Sequence, residues 1–385
     1  MRVPGCDNLT DERAQLCARC LSMGMQSDLR ANMRFSNHVA HEFAQWADAL
    51  PGAPLLCGHH DADGLSALAL LARAWERKFG ERPPLRIVGR GENAWTKEFA
   101  DTLADGLHGL VLLDLGTGER KPTDASLCVI DHHVPTSEAS DRLVLSGYGE
   151  TPVPSTSLIA WWAAKGLIGD DADDLLWLAY VGAMGDMADT GFDVLDAAKK
   201  RYKVGRTREV VSLVNAPRRS ASGDAAPALE WLLAASDPQD ALSGDYPARA
   251  VCEAAREEVK AATAEARRAP PRFGSVYGSD VAIIRVDTPC QVHPLIAQSW
   301  AGRLKPAICF AANAAIEPGR VSFSGRTRGE DKDIIAFLAE HAPENADRTR
   351  YGNGHRKAAG GSLPAAQWNA WVESLGFDER LKVEV

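Results

Sequence analysis

Short apolar segments that alternate with helix-like segments constrain the fold of this chain most strongly. Four segments have the pattern of buried strands: PLLCG (54–58), LRIVG (85–89), GLVLLDLG (109–116) and SLCVIDHH (126–133). Between the first two, LSALALLARAWERKF (65–79) contains helix-forming residues and neither Gly nor Pro. Continuous apolar strands separated by helices are typical of a parallel sheet covered on both faces. The sequence therefore predicts an α/β fold with a parallel sheet in its first half.

The second half of the chain repeats this alternation after a helical spacer. An Ala-, Glu- and Arg-rich helical stretch ends at Pro270-Pro271, which cannot continue a helix. Beyond it, DVAIIRVD (280–287) resembles a strand, HPLIAQSWAGRL a helix, and AICFAANAAIEPGRVSFSG a hairpin. We predict a helical N-terminal extension at 1–50, a parallel-sheet domain at 51–219, a helical linker at 220–274 and a smaller α/β domain at 275–385.

Composition excludes some classes of protein. The formal net charge is −9 and the sequence pI is about 5.6, so a uniformly basic surface for long duplex DNA is excluded. An anionic substrate must then be bound locally, by a metal or a few arginines. No apolar run of about 18 residues and no apolar signal core occur, so we expect no membrane span. Eight scattered cysteines favour a reducing cytoplasm. Cys6, Cys17 and Cys20 leave a zinc knuckle open, although a lone CxxC is a weak signal.

Acidic and imidazole residues follow the predicted strands. They are Asp61 and Asp63 after the first strand, Asp114 after LVLL, Asp131, His132 and His133 after SLCVI, and Asp186 late in a helical segment. The carboxyl ends of parallel strands meet at one edge of a sheet, where ligands bind. Crowded carboxylates raise each other's pKa, and divalent cations remove this conflict. Oxygen-rich ligands with imidazole favour Mn²⁺, with Mg²⁺ as the second choice, and the set is large enough for two ions roughly 3.5–4 Å apart.

A simpler interpretation exists for each site taken alone. An aspartate after a strand often caps the next helix, and Asp-His-His could form a surface turn. Helix capping does not explain two consecutive histidines, nor three such sites at successive strand ends. We therefore favour a metal centre.

Five motifs in order carry a resemblance to a known superfamily. HHDADG, LLDLG, VIDHH and GAMGD resemble the four motifs of the DHH phosphoesterases, and GNGHRKAAGGSL (352–363) resembles the motif of their DHHA1 domain. The resemblance implies two domains with a dinuclear manganese site in the cleft between them. It implies these metal ligands: Asp61, Asp63, Asp114 as the bridging one, His132 and Asp186. His133 would face the scissile phosphate, and Asp131 would orient a histidine.

The chain departs from the superfamily pattern at two places. Many members have a ligating His four residues before the first Asp, where this chain has Cys57. RecJ-like members have a polar residue two before it, so His59 is a candidate extra ligand, and the role of His60 stays open. Asn353 stands between Gly352 and Gly354 where the motif has Gly, and Asn tolerates left-handed backbone angles better than most residues.

The resemblance also implies a phosphate-binding second domain. Gly352, Gly354 and His355 would hold a substrate phosphate through a Gly-rich loop. Ser324 and Arg326 stand where this domain carries a phosphate-binding arginine, although an ion pair of Arg326 with Glu330 or Asp331 is the alternative.

The segment 214–242 resembles RecJ-like exonucleases in its Asn215, Ala216 and Arg219, which implies that Arg219 binds substrate. A capping loop with a chance arginine is the alternative.

The expected function is a Mn²⁺-dependent phosphodiesterase, a RecJ-like exonuclease that hydrolyses single-stranded DNA or RNA from an end. Only about 20 residues follow the DHHA1 motif, so we expect no OB-fold region and a preference for short strands. The alternative is a nanoRNase or adenosine bisphosphate phosphatase, or a cyclic-dinucleotide phosphodiesterase. An inorganic pyrophosphatase would have a different second domain, and a non-enzymatic scaffold would have lost the carboxylates. Polarity, the choice between DNA and RNA, and oligomeric state stay open.

Overall fold

The computed structural model describes residues 33–137, 140–305, 307–348 and 350–384, apart from the side chain of Asn353. The candidate zinc ligands Cys6, Cys17 and Cys20 lie outside the described residues, as does most of the predicted N-terminal extension. Residues 33–48 of that extension form helix α1. The described chain divides into a first unit, 33–88, 92–211 and 229–245, and a second unit, 89–91, 212–228 and 246–384.

The first unit contains a five-stranded sheet in the order β2-β1-β3-β4-β5, and every pair of neighbouring strands is parallel. Its strands are β1 (Leu55–His59), β2 (Leu85–Val88), β3 (Gly109–Leu113), β4 (Ser126–Asp131) and β5 (Leu143–Ser146). The predicted parallel α/β sheet is therefore confirmed, with β5 as an unpredicted fifth strand. The strand order reverses between β1 and β3, and parallel sheets bind ligands at the carboxyl edge of such a switch.

The helices that follow α1 as far as residue 245 are α2 (Ala62–Phe79), α3 (Lys97–Ala100), α4 (Thr156–Ile168), α5 (Leu176–Gly185), α6 (Asp193–Tyr202), α7 (Val204–Val214), α8 (Ala226–Ala234) and α9 (Pro238–Ser243). Helices α2 and α4 contact the sheet. Helix α2 packs against α4 and α5. Most residues of α4 and α5 are buried, as expected of helices that are apolar all round. The predicted helix at 173–188 starts later, at Leu176, because the Asp-rich segment 169–175 forms a 3₁₀ turn.

The second unit contains a six-stranded sheet in the order β10-β11-β9-β8-β7-β6. Its strands are β6 (Arg272–Phe273), β7 (Val281–Val286), β8 (Ile308–Asn313), β9 (Arg320–Thr327), β10 (Tyr351–His355) and β11 (Ala358–Pro364). Only β7 and β8 pair in parallel among these strands, and the predicted hairpin is β8 with β9. The helices are α10 (Pro247–Ala266), α11 (His293–Arg303), α12 (Ile334–Glu340) and α13 (Ala365–Ser374).

Two apolar cores flank the second sheet. Phe310, Phe323, Trp368 and Trp371 belong to the core on the face of α12 and α13. Small residues of β7 and β8, such as Cys309 and Ala311, belong to the core on the face of α10 and α11. Alternate residues of β9 therefore point to different helices.

The described residues contain five cysteines: Cys57, Cys128, Cys252, Cys290 and Cys309. All five are buried with free thiols. Within the described chain, no helix combines the length and apolarity needed to cross a bilayer.

Candidate functional site

The junction of β1 and α2 holds the first two cluster residues. His59 ends β1, and Asp61 is the N-cap of α2, where its Oδ1 accepts a hydrogen bond from Gly64 N at 3.1 Å. The Asp61 Oδ2 atom lies 3.1 Å from His59 Nδ1. A Cβ on Gly64 would come within 2.5 Å of His59 O, so glycine allows the helix to start this close to the strand. Asp61 is thus both a helix cap and a member of the cluster.

Asp63 is held by a different helix. Its side chain is almost fully buried, and its two oxygens accept hydrogen bonds from Thr156 N at 2.8 Å and Ser157 N at 3.0 Å. These amides lie in the first turn of α4, where backbone N–H groups lack partners inside the helix. The start of α4 therefore fixes the orientation of the Asp63 carboxylate.

Asp114 lies at the centre of the cluster. It follows β3 with a left-handed φ of 63°, a conformation that aspartate adopts more readily than most residues. Its Oδ1 lies 3.1 Å from Thr156 Oγ1 and 3.5 Å from His132 Nε2, and its Oδ2 lies 3.5 Å from His59 Nδ1. The Asp114 carboxylate therefore lies between His59 at the end of β1 and His132 just after β4.

The end of β4 supplies a paired aspartate and histidine. Asp131 is buried, and its Oδ2 accepts a hydrogen bond from Gly116 N at 2.7 Å. Its Oδ1 accepts one from His133 N at 2.7 Å and lies 3.2 Å from His133 Nδ1. Burial opposes the charge on Asp131, yet the hydrogen bond to His133 lowers the pKa of Asp131 and raises that of His133. Asp131 therefore contacts both the backbone and the ring of His133.

Asp186 completes the cluster from the carboxyl end of α5, with Oδ2 3.5 Å from His132 Nε2. Burial, and then Asp114, raises the pKa of Asp63 to about 7, and burial with Asp114 raises that of Asp186 to about 6. Burial opposes charge on His59 and His132, yet the neighbouring carboxylates raise the pKa of both to about 10. A cluster in which carboxylates and imidazoles both retain protons is one that a divalent cation relieves.

The ligand atoms form three compact sets, and within each set they lie within 4.8 Å of one another. The sets are His59, Asp61 and Asp114; Asp114, His132 and His133; and Asp63, His132 and Asp186. Asp114 belongs to two sets, as expected of a carboxylate whose two oxygens bind neighbouring ions. His132 also belongs to two sets, but one imidazole nitrogen binds only one ion. Carboxylate oxygens with imidazole nitrogens fit Mn²⁺ or Mg²⁺. Cys57 lies in an apolar core instead, where burial raises its pKa to about 12.

The second unit contains a cationic group that includes two predicted residues. Arg326 donates hydrogen bonds to Ser324 Oγ at 2.9 Å and to Gly325 O at 2.8 Å. Within the described residues it forms no ion pair with Glu330 or Asp331. Arg326 on β9 is opposite Cys309 on β8. Because opposite residues share a face, Ser324 and Arg326 lie on the face that α11 covers.

The turn at Pro217–Arg219 brings two further residues to this group. Arg90 Nη2 donates hydrogen bonds to Arg218 O and Ser220 O, both at 3.0 Å. Arg219 O accepts a hydrogen bond from Gln291 N at 2.8 Å, two residues before the buried His293 at the start of α11. Burial, then Arg326 and Arg90, lowers the pKa of His293 to about 3. Sequence reasoning missed both Arg90 and His293.

The Gly-rich segment differs from its prediction. We predicted a loop, but residues 351–355 form the edge strand β10, which pairs with β11 through an irregular register at Tyr351 and Asn353. Gly352 and Gly354 have φ values of 79° and 133°, and a Cβ on Gly354 would lie 2.3 Å from Ala358 O. The left-handed angles produce the irregular strand, and His355 ends it, exposed.

Comparison with known proteins rests on structure alone. No protein-family model and no curated protein matches the sequence. RecJ from Thermus thermophilus, in complex with Mn²⁺, matches with a TM-score of 0.65 and 17% identity over 89% of this chain and 54% of that chain. An exonuclease RecJ bound to manganese matches with a TM-score of 0.60 and 19% identity, over 89% and 93%. The DHH domain of a member of a family of ribosomal proteins matches with a TM-score of 0.62 and 13% identity, over 97% and 100%.

The chain has the DHH fold. The expected DHH architecture, with a parallel sheet in the first unit and a second mixed sheet, is thereby confirmed. The chain spans about half the length of the Thermus thermophilus RecJ chain and nearly all of the other two.

Within the DHH fold, the predicted metal ligands converge, and the predicted phosphate-binding residues lie in the second unit on β9, on β10 and in the turn at 217–219. All six predicted metal ligands, together with His133, fall in the three compact sets of the first unit. Ser324 and Arg326 lie with Arg90 and His293, whereas Gly352, Gly354 and His355 lie on the edge strand β10. Arg219 contributes its carbonyl to the turn that joins Arg90 and Gln291. The ligand and substrate roles of these residues stay predictions.

Proposed function

We propose that the chain is a divalent-metal-dependent phosphodiesterase that hydrolyses single-stranded nucleic acid from an end, with Mn²⁺ as its preferred ion. One observation carries the proposal: carboxylates and imidazoles from β1, α2, β3, β4 and α5 converge at the carboxyl edge of the first sheet. The fold shared with RecJ supports it. Two of the similar structures, both of RecJ, have manganese bound.

The residues of the first unit divide into ligands and positioning groups. Bound divalent ions would supply Lewis-acid chemistry, lowering the pKa of a water and stabilising charge on a phosphate. Asp114 would join the two halves of the ligand set. Thr156 and Ser157 would keep the Asp63 oxygens in place through backbone hydrogen bonds, because partners behind a ligand fix its orientation.

His133 is the residue suited to the scissile phosphate. Its Nδ1 faces Asp131, and this pairing raises the pKa of His133. The protonated imidazole would donate from Nε2 to a phosphate oxygen, with Asp131 preserving its orientation. In the second unit, Arg326 and Ser324 would bind a further phosphate or a phosphorylated chain end, since a guanidinium binds phosphate oxygens through two parallel donors.

A preference for short strands follows from the charge of the chain. Affinity for long strands arises mainly from many Lys and Arg contacts to phosphates. This chain has a formal net charge of −9, and the cationic group of the second unit contains the two arginines Arg90 and Arg326. A substrate that needs two or three phosphate contacts suits such a protein better than one that needs ten.

The test is a digestion panel with Mn²⁺ and end-labelled single strands from two to several tens of nucleotides, labelled at either end. Shortening from one end, with short strands consumed fastest, is the expected result. Cleavage of cyclic dinucleotides or adenosine bisphosphate alone would favour the small-nucleotide alternative, and no cleavage of any phosphodiester would refute the proposal.

The matched pair of variants is Asp114→Asn and Asp124→Asn. Loss of a residue that hydrogen-bonds to a metal ligand commonly lowers metal affinity or activity about 10- to 100-fold. Loss of a central ligand itself should therefore lower kcat/KM by at least about a hundredfold. Asp124 is exposed and precedes β4 at the opposite edge of the sheet. Its replacement should leave the rate unchanged.

A further inference from the structure

Four exposed apolar residues lie in loops that adjoin the carboxylate and imidazole cluster of the first unit. They are Val134, Tyr148, Val153 and Met187, of which Tyr148 is 51% and Met187 is 86% exposed. Their loops are 132–137 after β4, 147–155 after β5 and 186–192 after α5. Single exposed apolar residues are ordinary, whereas a group of them bordered by polar residues marks a binding surface. We call these four residues the apolar rim.

The three loops form one continuous surface. The loops after β4 and β5 start side by side, because these two strands are paired in parallel. His132 Nε2 lies 3.5 Å from Asp186 Oδ2, which joins the loop after β4 to the loop after α5. A Cβ on Gly191 would lie 2.6 Å from Pro152 Cγ, so the loop after α5 also contacts the loop after β5. The apolar rim therefore belongs to the same surface as the cluster.

The cluster is most accessible to solvent on the side of this surface. The side chains of His133 and Asp186 are 42% and 41% exposed, and those of the other cluster residues are less exposed. Met187 directly follows Asp186, and Val134 directly follows His133. The two most accessible residues of the cluster are thus the chain neighbours of two residues of the apolar rim.

Met187 has a conformation that does not favour methionine. It follows α5 with a left-handed φ of 59°, and Ala188 N closes the end of the helix by donating to Ala183 O at 2.8 Å. Glycine is the usual residue at such a position, because a Cβ disfavours left-handed angles. The exposed side chain gains too little from burial to offset this strain. Residues held in such conformations cluster at ligand-binding sites.

Tyr148 lies at the tip of a tight turn. Glu150 N donates to Gly147 O at 3.2 Å, and Tyr148 N donates to Ser146 Oγ at 3.2 Å. A Cβ on Gly147 would lie 2.7 Å from Pro154 Cγ, so the turn packs closely on the segment that leads into α4. The half-exposed ring is therefore carried by an ordered backbone, which lowers the entropy cost of binding a ligand.

The charges of the three loops disfavour a phosphate chain. The loops contain no lysine or arginine, and their only carboxylates outside the cluster are Glu150 and Asp189. Asp189 pairs with Lys199 at 3.6 Å. An uncharged planar group fits this surface, because aromatic rings and thioether sulfurs make favourable contacts with other rings. The base is the part of a nucleotide that has this chemistry.

We propose that Tyr148 and Met187 bind the base of the nucleotide whose phosphate lies at the cluster, through contact with the face of the base. This inference rests on the proposed function and narrows its substrate class to phosphates that carry a base, as opposed to polyphosphate. Val134 and Val153 extend the contact surface. No covalent bond changes in this step.

The first test measures binding without turnover. Adenosine 5′- or 3′-monophosphate is compared with the ribose phosphate that lacks the base, by calorimetric titration of the full chain in Mn²⁺. Neither compound contains a phosphodiester. For at least one of the two pairs, the wild type should bind the nucleotide about tenfold more tightly, within the range of about 5- to 150-fold that stacking of one base supplies.

The double variant Tyr148→Ala/Met187→Gly should bind the nucleotide and the ribose phosphate with equal affinity. A double variant that keeps the wild-type preference would overturn the proposal, as would a wild type without any preference.

Single variants separate the contact from folding. Met187→Gly relieves the left-handed strain, so it should unfold at a higher urea concentration than the wild type and yet bind the nucleotide more weakly. Tyr148→Phe keeps the ring and should keep the preference; loss of the preference in this variant would contradict contact through the ring face. The matched control is Phe273→Ala, which removes an exposed ring from the second unit and should leave binding unchanged.

A second copy of the chain is the competing occupant of the apolar rim. Sedimentation of the wild type and of Tyr148→Ala over a range of concentrations tests it. A dimer that dissociates in Tyr148→Ala, together with an unchanged preference for the nucleotide, would refute base binding.

Failure of this site and failure of the proposed function give different results. A protein that prefers the nucleotide through Tyr148 and Met187 but cleaves no phosphodiester would refute only the function. A protein that cleaves single strands while the double variant keeps the preference for the nucleotide would refute only this site.

Discussion

Gly182 permits the contact between α4 and α5 that holds Asp63 in place. A Cβ added to Gly182 would lie 2.2 Å from Ser157 Oγ and 2.6 Å from Asp63 Oδ1. Ordinary Cβ contacts are longer than 3.4 Å, so the neighbours would have to move by about 1 Å. Ser157 cannot move freely, because its Oγ donates to Ala179 O at 3.0 Å and its N donates to Asp63. Gly182→Ala must therefore displace either the helix contact or the Asp63 carboxylate.

The expected cost has three parts. Overpacking of a tight site costs about 1–3 kcal/mol, and a disturbed hydrogen bond of Ser157 costs about 1 kcal/mol. The better helix propensity of alanine returns up to about 1 kcal/mol. Gly182→Ala should thus lose about 1–3 kcal/mol of stability. Its Mn²⁺ affinity should fall about 10- to 100-fold, as when a partner that orients a ligand is lost.

The measurements are urea unfolding and calorimetric Mn²⁺ titration, with Gly205→Ala as the matched control. Gly205 lies at the start of α7, and a Cβ there would meet nothing within 4 Å. The control should gain up to about 1 kcal/mol from helix propensity and keep its Mn²⁺ affinity. A Gly182→Ala protein that binds Mn²⁺ as tightly as the control would refute the view that the close contact between α4 and α5 keeps Asp63 in place.

Two further predictions concern protons. Mn²⁺ binding at pH 8 should release about two protons, because His59 and His132 have pKa values of about 10 without the ion and must be deprotonated to coordinate it. A pH indicator in weakly buffered solution measures the released protons. If no protons are released, His59 and His132 are not both metal ligands. The His293 pKa of about 3 lies below that of an unfolded histidine, so its stabilising effect is complete above pH 6.5 and is lost as pH falls toward 3. Between pH 7.5 and pH 5 this loss should reach about 2 kcal/mol of unfolding free energy. Urea unfolding of wild type and of His293→Gln at each pH measures it as the change in their difference in stability. If the stabilities of the two proteins change with pH in parallel, the prediction is wrong.

The strands that could be predicted are those with strongly apolar sequences. β1, β3 and β4 are buried along most or all of their length, and each appeared as a continuous apolar run. β5 escaped because Leu143–Ser146 is a short edge strand, and only one of its four residues is fully buried. An edge strand exposes one side, so its sequence lacks the continuous apolar run that identifies a central strand.

The acidic cluster could be predicted because parallel topology converts sequence position into spatial position. Every strand of the first sheet ends at the same edge, so residues that follow strands must lie close together. The partners of these residues could not be predicted in this way. Asp63 is bound by the amides of Thr156 and Ser157, more than ninety positions away, and nothing local in either segment specifies the other.

The cationic group of the second unit could not be predicted from strand order, because its residues come from unrelated positions in the chain. Arg90 comes from a short segment after β2, Arg326 from the end of β9 and His293 from a helix start. The turn at 217–219 binds Arg90 and the segment just before that helix. A usable signal existed at Gly89-Arg90-Gly91, a charged residue between two glycines directly after a strand. His293 gave none, because a histidine before proline at the start of a helix is ordinary.

Burial gives a reason why an acidic chain could still bind the anion proposed above. A charge in a low-dielectric environment acts far more strongly on a neighbour than the same charge at the surface. Arg90 and Arg326 are half-buried and are held by carbonyl or hydroxyl oxygens instead of carboxylates. Oxygens of this kind carry no formal charge, so they leave the positive charge of the arginines unneutralised, whatever the net charge of −9 on the whole chain. Such a site would bind one phosphate better than a long phosphate backbone, which is the electrostatic reason to expect recognition of a chain end.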